Sequence, residues 1–166
     1  MKKNVLFVVF LMSTCAIFAQ APLSVGQTQL NGGVVLSSDG VPVYIGLDYA
    51  VHPDITIGGE LSYWSYYDNV AGYHYNYNVI GISGNGNYHF NSVLKIPRNW
   101  DFYAGLNVGY FIYNYANNYD GSHSSGLGLG VQIGGRYYFT DNFGINLEFG
   151  SGNEFSGGKL GITLKL

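Results

Sequence analysis

The sequence predicts an all-β fold: an eight-stranded antiparallel up-and-down transmembrane β-barrel behind a cleaved signal peptide. Three observations predict it. The first is period-two hydrophobicity, clearest in "GLGLGVQIGGRYYF" (126–139). There Leu127, Leu129, Val131, Ile133, Tyr137 and Phe139 share one parity, and Gly126, Gly128, Gly130, Gln132, Gly134, Arg136 and Tyr138 the other. Alternation at period two marks a strand with two unlike faces. The second is that the less apolar face is mostly glycine, a poor surface for water. Only 10% of residues are charged, against roughly 25% in ordinary soluble domains. The third is that no internal apolar run reaches the roughly 20 residues a spanning helix needs. A chain with 16 tyrosines, 25 glycines and so few charges can enter a bilayer only as strands.

The elements follow in order. Residues 1–19 read as a secretory signal: Lys2 and Lys3 precede an apolar run from Val5 to Phe18, and cleavage fits after Ala19 or Ala21. Cys15, in "LMSTC", is the only cysteine. Thr14 and the continuing apolar run argue against lipid attachment there, so the mature chain has no thiol chemistry. Residues 20–166 form one barrel domain, with 20–26 as a lead-in. Loss of Lys2 and Lys3 from seven basic residues leaves five against ten acidic ones, a formal charge of −5. No basic cluster exists, so nucleic acid is excluded as a partner.

Strand one is expected over Gln29–Leu36, closed by "SSDG". Strand two is Val43–Val51, ended by "HPD" (52–54). Strand three, Ile55–Tyr67, is followed by a loop at 68–74. Strand four, Tyr75–Phe90, leads through "NSVLKIPRN" (91–99) to strand five, Trp100–Tyr115. The longest polar loop, 116–125, precedes strand six. "TDN" (140–142) turns into strand seven, Phe143–Phe149, and "SGNEFSG" (151–157) into the last strand, which ends at Leu166. No helix is expected in the mature chain. Connections after even strands lie on one side with both termini, and connections after odd strands lie on the other.

The two faces decide which side is inside. The less apolar face collects Asp48, Glu60, Gln132, Arg136, Asn146, Glu148, Lys159 and Lys165 with many Gly, Ser and Asn; the other carries Leu, Ile, Val and aromatics without a charge. Eight strands enclose a lumen just wide enough for side chains, which suits glycine mixed with a few long polar residues. A contiguous apolar belt would aggregate in water, whereas a bilayer requires one, and a sheet can span only if it closes. Outward aromatics also gather near strand ends: Tyr49, Tyr88, Trp100, Phe102, Tyr137 and Phe143 at one rim, Tyr63, Tyr67, Tyr110 and Phe149 toward the other. Two aromatic girdles are the expected interface anchors.

"GLGLGVQIGGRYYFTDNFGINLEFGSG" followed by "GKLGITLKL" resembles the closing hairpins of the small eight-stranded outer-membrane barrels of Gram-negative bacteria, the OmpX/OmpA-like and opacity-protein-like group. The likeness covers Leu30–Leu166 in pattern and Gly126–Leu166 in sequence flavour. It implies location in the cell outer membrane, termini and even-strand turns in the periplasm, contact with outer-membrane lipid, and delivery by the barrel-assembly machinery. Such chains usually end in an aromatic residue; this one ends in Leu166.

For chemistry, the lumen cluster of Asp48, Glu60, Arg136, Glu148 and Lys159 is the one constellation to name. If Val51 opposes Ile55, Asp48 and Glu60 become diagonal neighbours, and across "TDN" Arg136 is diagonal to Glu148. Carboxylates in a poorly solvated lumen need cations beside them, so a structural ion-pair network plugging the barrel is expected; a proton or ion path is the functional alternative. "GSHSSG" (121–126) sets His123 two residues from Ser125, which resembles the His-x-Ser of outer-membrane lipid A deacylases. That family places a glutamate about a dozen residues on, where this chain has Tyr137. No catalytic residue is therefore assigned. His52, His74, His89 and His123 are scattered, without metal-ligand spacing, and no cofactor motif is present.

The expectation is a non-enzymatic, monomeric outer-membrane barrel with an envelope-integrity or adhesin-like role. The Tyr/Asn-rich stretches 63–78 and 110–120 would offer a surface or host ligand its contacts. The alternatives are a soluble periplasmic ligand-binding barrel and an outer-membrane lipid-modifying enzyme.

Overall fold

The computed structural model describes residues 21–36, 42–70, 73–115, 125–152 and 156–166. The strands are β1 (Thr28–Leu36), β2 (Val43–His52), β3 (Ile55–Val70), β4 (Tyr73–His89), β5 (Trp100–Tyr115), β6 (Gly126–Tyr138), β7 (Phe143–Gly152) and β8 (Gly157–Lys165). They close into one barrel in sequence order. Every neighbouring pair is antiparallel, and β8 returns to pair with β1 from Gln29↔Lys165 to Leu36↔Gly158.

Parity sets the faces as the alternation predicts. Outward-pointing Leu106, Ile133 and Leu129 are 67%, 62% and 59% exposed, while inward-pointing Asp101, Asp48 and Arg136 are 1%, 2% and 3% exposed. That inverts the usual partition, in which charged residues are almost never fully buried. The inversion is what a hydrocarbon solvent outside and a packed polar lumen inside require.

Three expectations are corrected. The β2–β3 turn carries a bulge: Ala50 faces Thr56, but His52, not Val51, faces Ile55. One unpaired residue at a turn leaves the register below it intact, so Asp48 still lies diagonal to Glu60. Second, 68–74 is not all loop, because β3 runs on to Val70 and β4 starts at Tyr73. Third, one turn of helix, α1 (Asn91–Leu94), interrupts the β4–β5 connection. The Asn91 side chain stands in for strand pairing there: its amide donates to the Trp100 carbonyl at 2.6 Å and its oxygen accepts from the Phe102 N–H at 3.4 Å. Ser92 donates to the Asp54 carboxylate and fastens α1 to the β2–β3 turn.

The wall is uneven. β3, β4 and β5 hold 16, 17 and 16 residues, whereas β1, β2, β7 and β8 hold 9, 10, 10 and 9. Among the described residues, pairing of β2 with β3 reaches Val43↔Tyr63, and pairing of β5 with β6 reaches Phe111↔Gly126. Above Tyr63, β3 continues for seven residues whose pairing among the described residues is with β4, an extension of roughly 20 Å at about 3.3 Å per residue.

The outer face at the turn end carries a connected aromatic band. Trp100 lies 4.7 Å from Tyr137 and 5.7 Å from Phe102, Tyr137 is 5.2 Å from Phe139, and Phe139 is 6.4 Å from Phe143, centroid to centroid. Such a band fits the headgroup level of a membrane, where one end of each ring is apolar and the other wet.

Candidate functional site: the lumen network

The lumen is filled by two linked ionic clusters under an apolar stopper. In the lower cluster Arg136, on β6, reaches across the barrel. Its Nη2 donates to Asp48 Oδ2 at 2.7 Å and its Nη1 to Asp101 Oδ2 at 3.0 Å. Its guanidinium carbon sits 4.3 Å from the centroid of the Tyr103 ring, a cation–π contact strengthened by exclusion of water. Asp101 Oδ1 lies 2.7 Å from His89 Nδ1, and His89 Nε2 lies 3.0 Å from Thr56 Oγ1. Asp48 also accepts from Asn31 at 2.9 Å, and Asn31 in turn accepts from Gln29 at 3.0 Å and Thr163 at 2.9 Å. Tyr138 donates to Gln29 and supports Lys165, whose Nζ is 3.9 Å above its ring.

In the upper cluster Lys159 bridges two carboxylates, Glu60 at 2.6 Å and Glu148 at 3.3 Å. Tyr103 donates to Glu148 at 2.8 Å, so one tyrosine touches both clusters. Asn146 donates to the Tyr44 hydroxyl at 2.9 Å, and Gln132 links Asn107 to Asn87 through bonds of 3.0 and 2.7 Å. Above these lie buried Trp64, Val79 and Phe111, with the Trp64 and Phe111 rings 5.9 Å apart.

The five predicted residues are thus all inward, but their pairing differs from the hairpin geometry. Arg136 bonds Asp48 and Asp101, not its diagonal neighbour Glu148, which goes to Lys159 and Tyr103. Arg136 bonds Asp101, its directly opposite partner on neighbouring β5, and its length lets the same guanidinium span the narrow lumen to Asp48 on β2, so it binds two carboxylates at once. Sequence reasoning missed Asp101 and His89. Both have inward parity on β5 and β4, so the signal was present.

The geometry leaves little room for passage. Among the described residues, two interior cavities are about 30 Å³, between Glu60, Trp64 and Lys159, and about 10 Å³, between Asp48, Asn85 and Arg136. Each is the scale of one or two waters. The Thr56–His89–Asp101 chain has the bonding order of a hydrolytic triad, yet all three are 2% exposed or less, so no substrate reaches the hydroxyl. Ser125 Oγ accepts from the Tyr113 N–H at 3.0 Å, and His123 lies outside the described residues. Among the described residues no group of His, Cys, Asp and Glu could hold a metal.

Gly134 shows how tightly the lumen is filled. A Cβ there would come within 2.8 Å of Tyr103 Cε1, so Gly134→Ala must push the ring off Glu148 and Arg136. Overpacking of this kind costs about 1–3 kcal/mol, and a lower urea midpoint in detergent is the expected reading.

No family model matches the chain, and no curated protein does. Solved structures do. OprG from Pseudomonas aeruginosa aligns over 90% of this chain and 99% of its own, with a TM-score of 0.65 at 10% identity. The fold is that of the small outer-membrane β-barrels. The N-terminal barrel of Pseudomonas aeruginosa OprF aligns over 87% of this chain and 100% of that one, with a TM-score of 0.57 at 20% identity. Ail of Yersinia pestis, in a phospholipid nanodisc, aligns over 85% and 99%, with a TM-score of 0.56 at 14% identity. At these identities the small outer-membrane barrel fold is shared while side-chain chemistry is not, so this lumen must be read from its own residues.

Proposed function

We propose that the protein is a resident of the outer membrane with a non-enzymatic role, in which a closed barrel anchors a raised interaction face outside the cell. The observation that carries this reading is the uneven wall. A pore needs a lumen and an enzyme needs an open site; here the lumen is filled. A barrel built only as an anchor needs no strand taller than the bilayer. β3 runs seven residues beyond its last described pair with β2, and β5 four beyond its last described pair with β6, in the Tyr- and Asn-rich part of the sequence. Tyrosine offers rigid amphipathic contact area and asparagine adaptable hydrogen bonds. The partner is then a surface or host ligand. The outward apolar belt argues against a soluble periplasmic ligand carrier.

The test is display on whole cells. Replacing 65–78 by a two-residue Asn-Gly turn, which joins the facing pair Trp64 and Val79, and deleting 113–124 should leave a heat-modifiable, sarkosyl-insoluble barrel while reducing adhesion to host cells or matrix. Unchanged adhesion would remove the interaction role, leaving envelope integrity to be measured as detergent sensitivity of the deletion strain. Release of the intact chain by osmotic shock would instead favour the soluble reading.

A further inference from the structure

The outer wall carries a feature that neither the lumen nor the extension uses. A largely apolar groove of about 800 Å³ runs over β5, β6, β7 and β8. Two of its smallest outward residues, Ala104 and Gly135, are diagonal neighbours, since Phe102 faces Gly135 and Ala104 faces Ile133. Trp100, Phe102 and Tyr137 stand on one side; Leu147 and Leu160, themselves paired across β7 and β8, stand on the other.

We propose that this groove is a binding site for one acyl chain of a phospholipid in the periplasmic leaflet, with the lipid phosphate held at the β4–β5 connection. This rests on the membrane reading above. Length is the first argument. Along β7 the groove spans Ile145 to Phe149, roughly 14 Å at about 3.4 Å per residue, and one leaflet of hydrocarbon is about 15 Å deep. Position is the second. One end opens at Phe90, Trp100 and Tyr137, in the aromatic band at the level of the headgroups.

Charge is the third. Five basic residues lie in the described chain. Two of them, Lys95 and Arg98, sit in the connection between the groove residues Phe90 and Trp100, and both are exposed. Beside them Val93 and Leu94 are 65% and 63% exposed. Apolar side chains flanked by cations suit a surface that lies in the headgroup boundary. A second copy of the chain fits the groove poorly, because two-fold pairing would set one concavity against another.

The two tryptophans, Trp64 in the lumen and Trp100 on the groove, make the site measurable. In the full mature chain carrying Trp64→Phe, in detergent, phosphatidylglycerol brominated midway along one acyl chain should quench Trp100 saturably, with a plateau near one lipid per barrel. Ala104→Leu should remove the plateau, Lys95→Glu should weaken it several-fold, and Ile57→Phe on the far wall should leave it unchanged. If Ala104→Leu does not fold, unbrominated lipid should restore the parent signal by competition. A heat-modifiable barrel whose quenching rises linearly with lipid, or is indifferent to Ala104→Leu, overturns the site alone. Cross-linked dimers that shield Trp100 overturn it in favour of a second copy. A chain soluble without amphiphile overturns the membrane reading beneath it.

Discussion

Arg136→Leu should destabilise the barrel by about 3–5 kcal/mol, the cost of breaking a buried ion pair by removing one partner. The upper end of that range is expected, because one guanidinium serves two carboxylates. Asp48 and Asp101 are 2% and 1% exposed, so neither can turn to water. Asp101 keeps His89 at 2.7 Å and Asp48 keeps Asn31 at 2.9 Å, but a neutral amide does not balance a charge. The measurement is the urea midpoint of the heat-modifiable form in detergent. Adding Asp48→Asn to Arg136→Leu should recover part of the loss, since it deletes one of the two stranded charges. A midpoint that does not move with Arg136→Leu would show that the lumen network contributes nothing to stability.

Leu106→Arg is the second large effect, and it tests the inside-out assignment. Leu106 lies on β5 between the outward rings of Trp100 and Tyr110 and is 67% exposed. If the face meets water, an arginine there changes stability by less than about 0.5 kcal/mol. If it meets lipid, an arginine near the midplane costs about 2–4 kcal/mol. The variant should refold poorly into bilayers, while the parent and Leu106→Phe refold normally. Equal refolding of Leu106→Arg would place this face outside the hydrocarbon.

Facing was legible from sequence because it depends only on parity. Parity placed nearly all Leu, Ile and Val outward and the charges inward, and the fold keeps that division, with Val35 and Val79 turned into the lumen. Register near the turns was legible too: Asp48 lies diagonal to Glu60 despite the bulge at Val51. The partners across the lumen were not legible. Arg136 meets Asp48 from 88 residues away, and Lys159 meets Glu60 from 99. These contacts depend on closure and on the height of each residue along a tilted strand, which no single hairpin fixes. α1 was missed because a four-residue helix is too short to show a period. The extension of β3 and β4 was missed because Asp68, Asn69 and Gly72 read locally as turn residues, whereas pairing within the tall hairpin carries the strands through Asp68 and Asn69.

The β1–β8 seam has a consequence for how the molecule is made. Seven of the eight strand pairings join consecutive segments and can zip locally. The eighth brings together Gln29 and Lys165, 136 residues apart, so it forms last by the ordinary logic of chain closure. Until it does, two rows of amide and carbonyl groups have no partner, and hydrocarbon offers them none. Closing this seam is therefore the step that completes the hydrogen bonding of the wall.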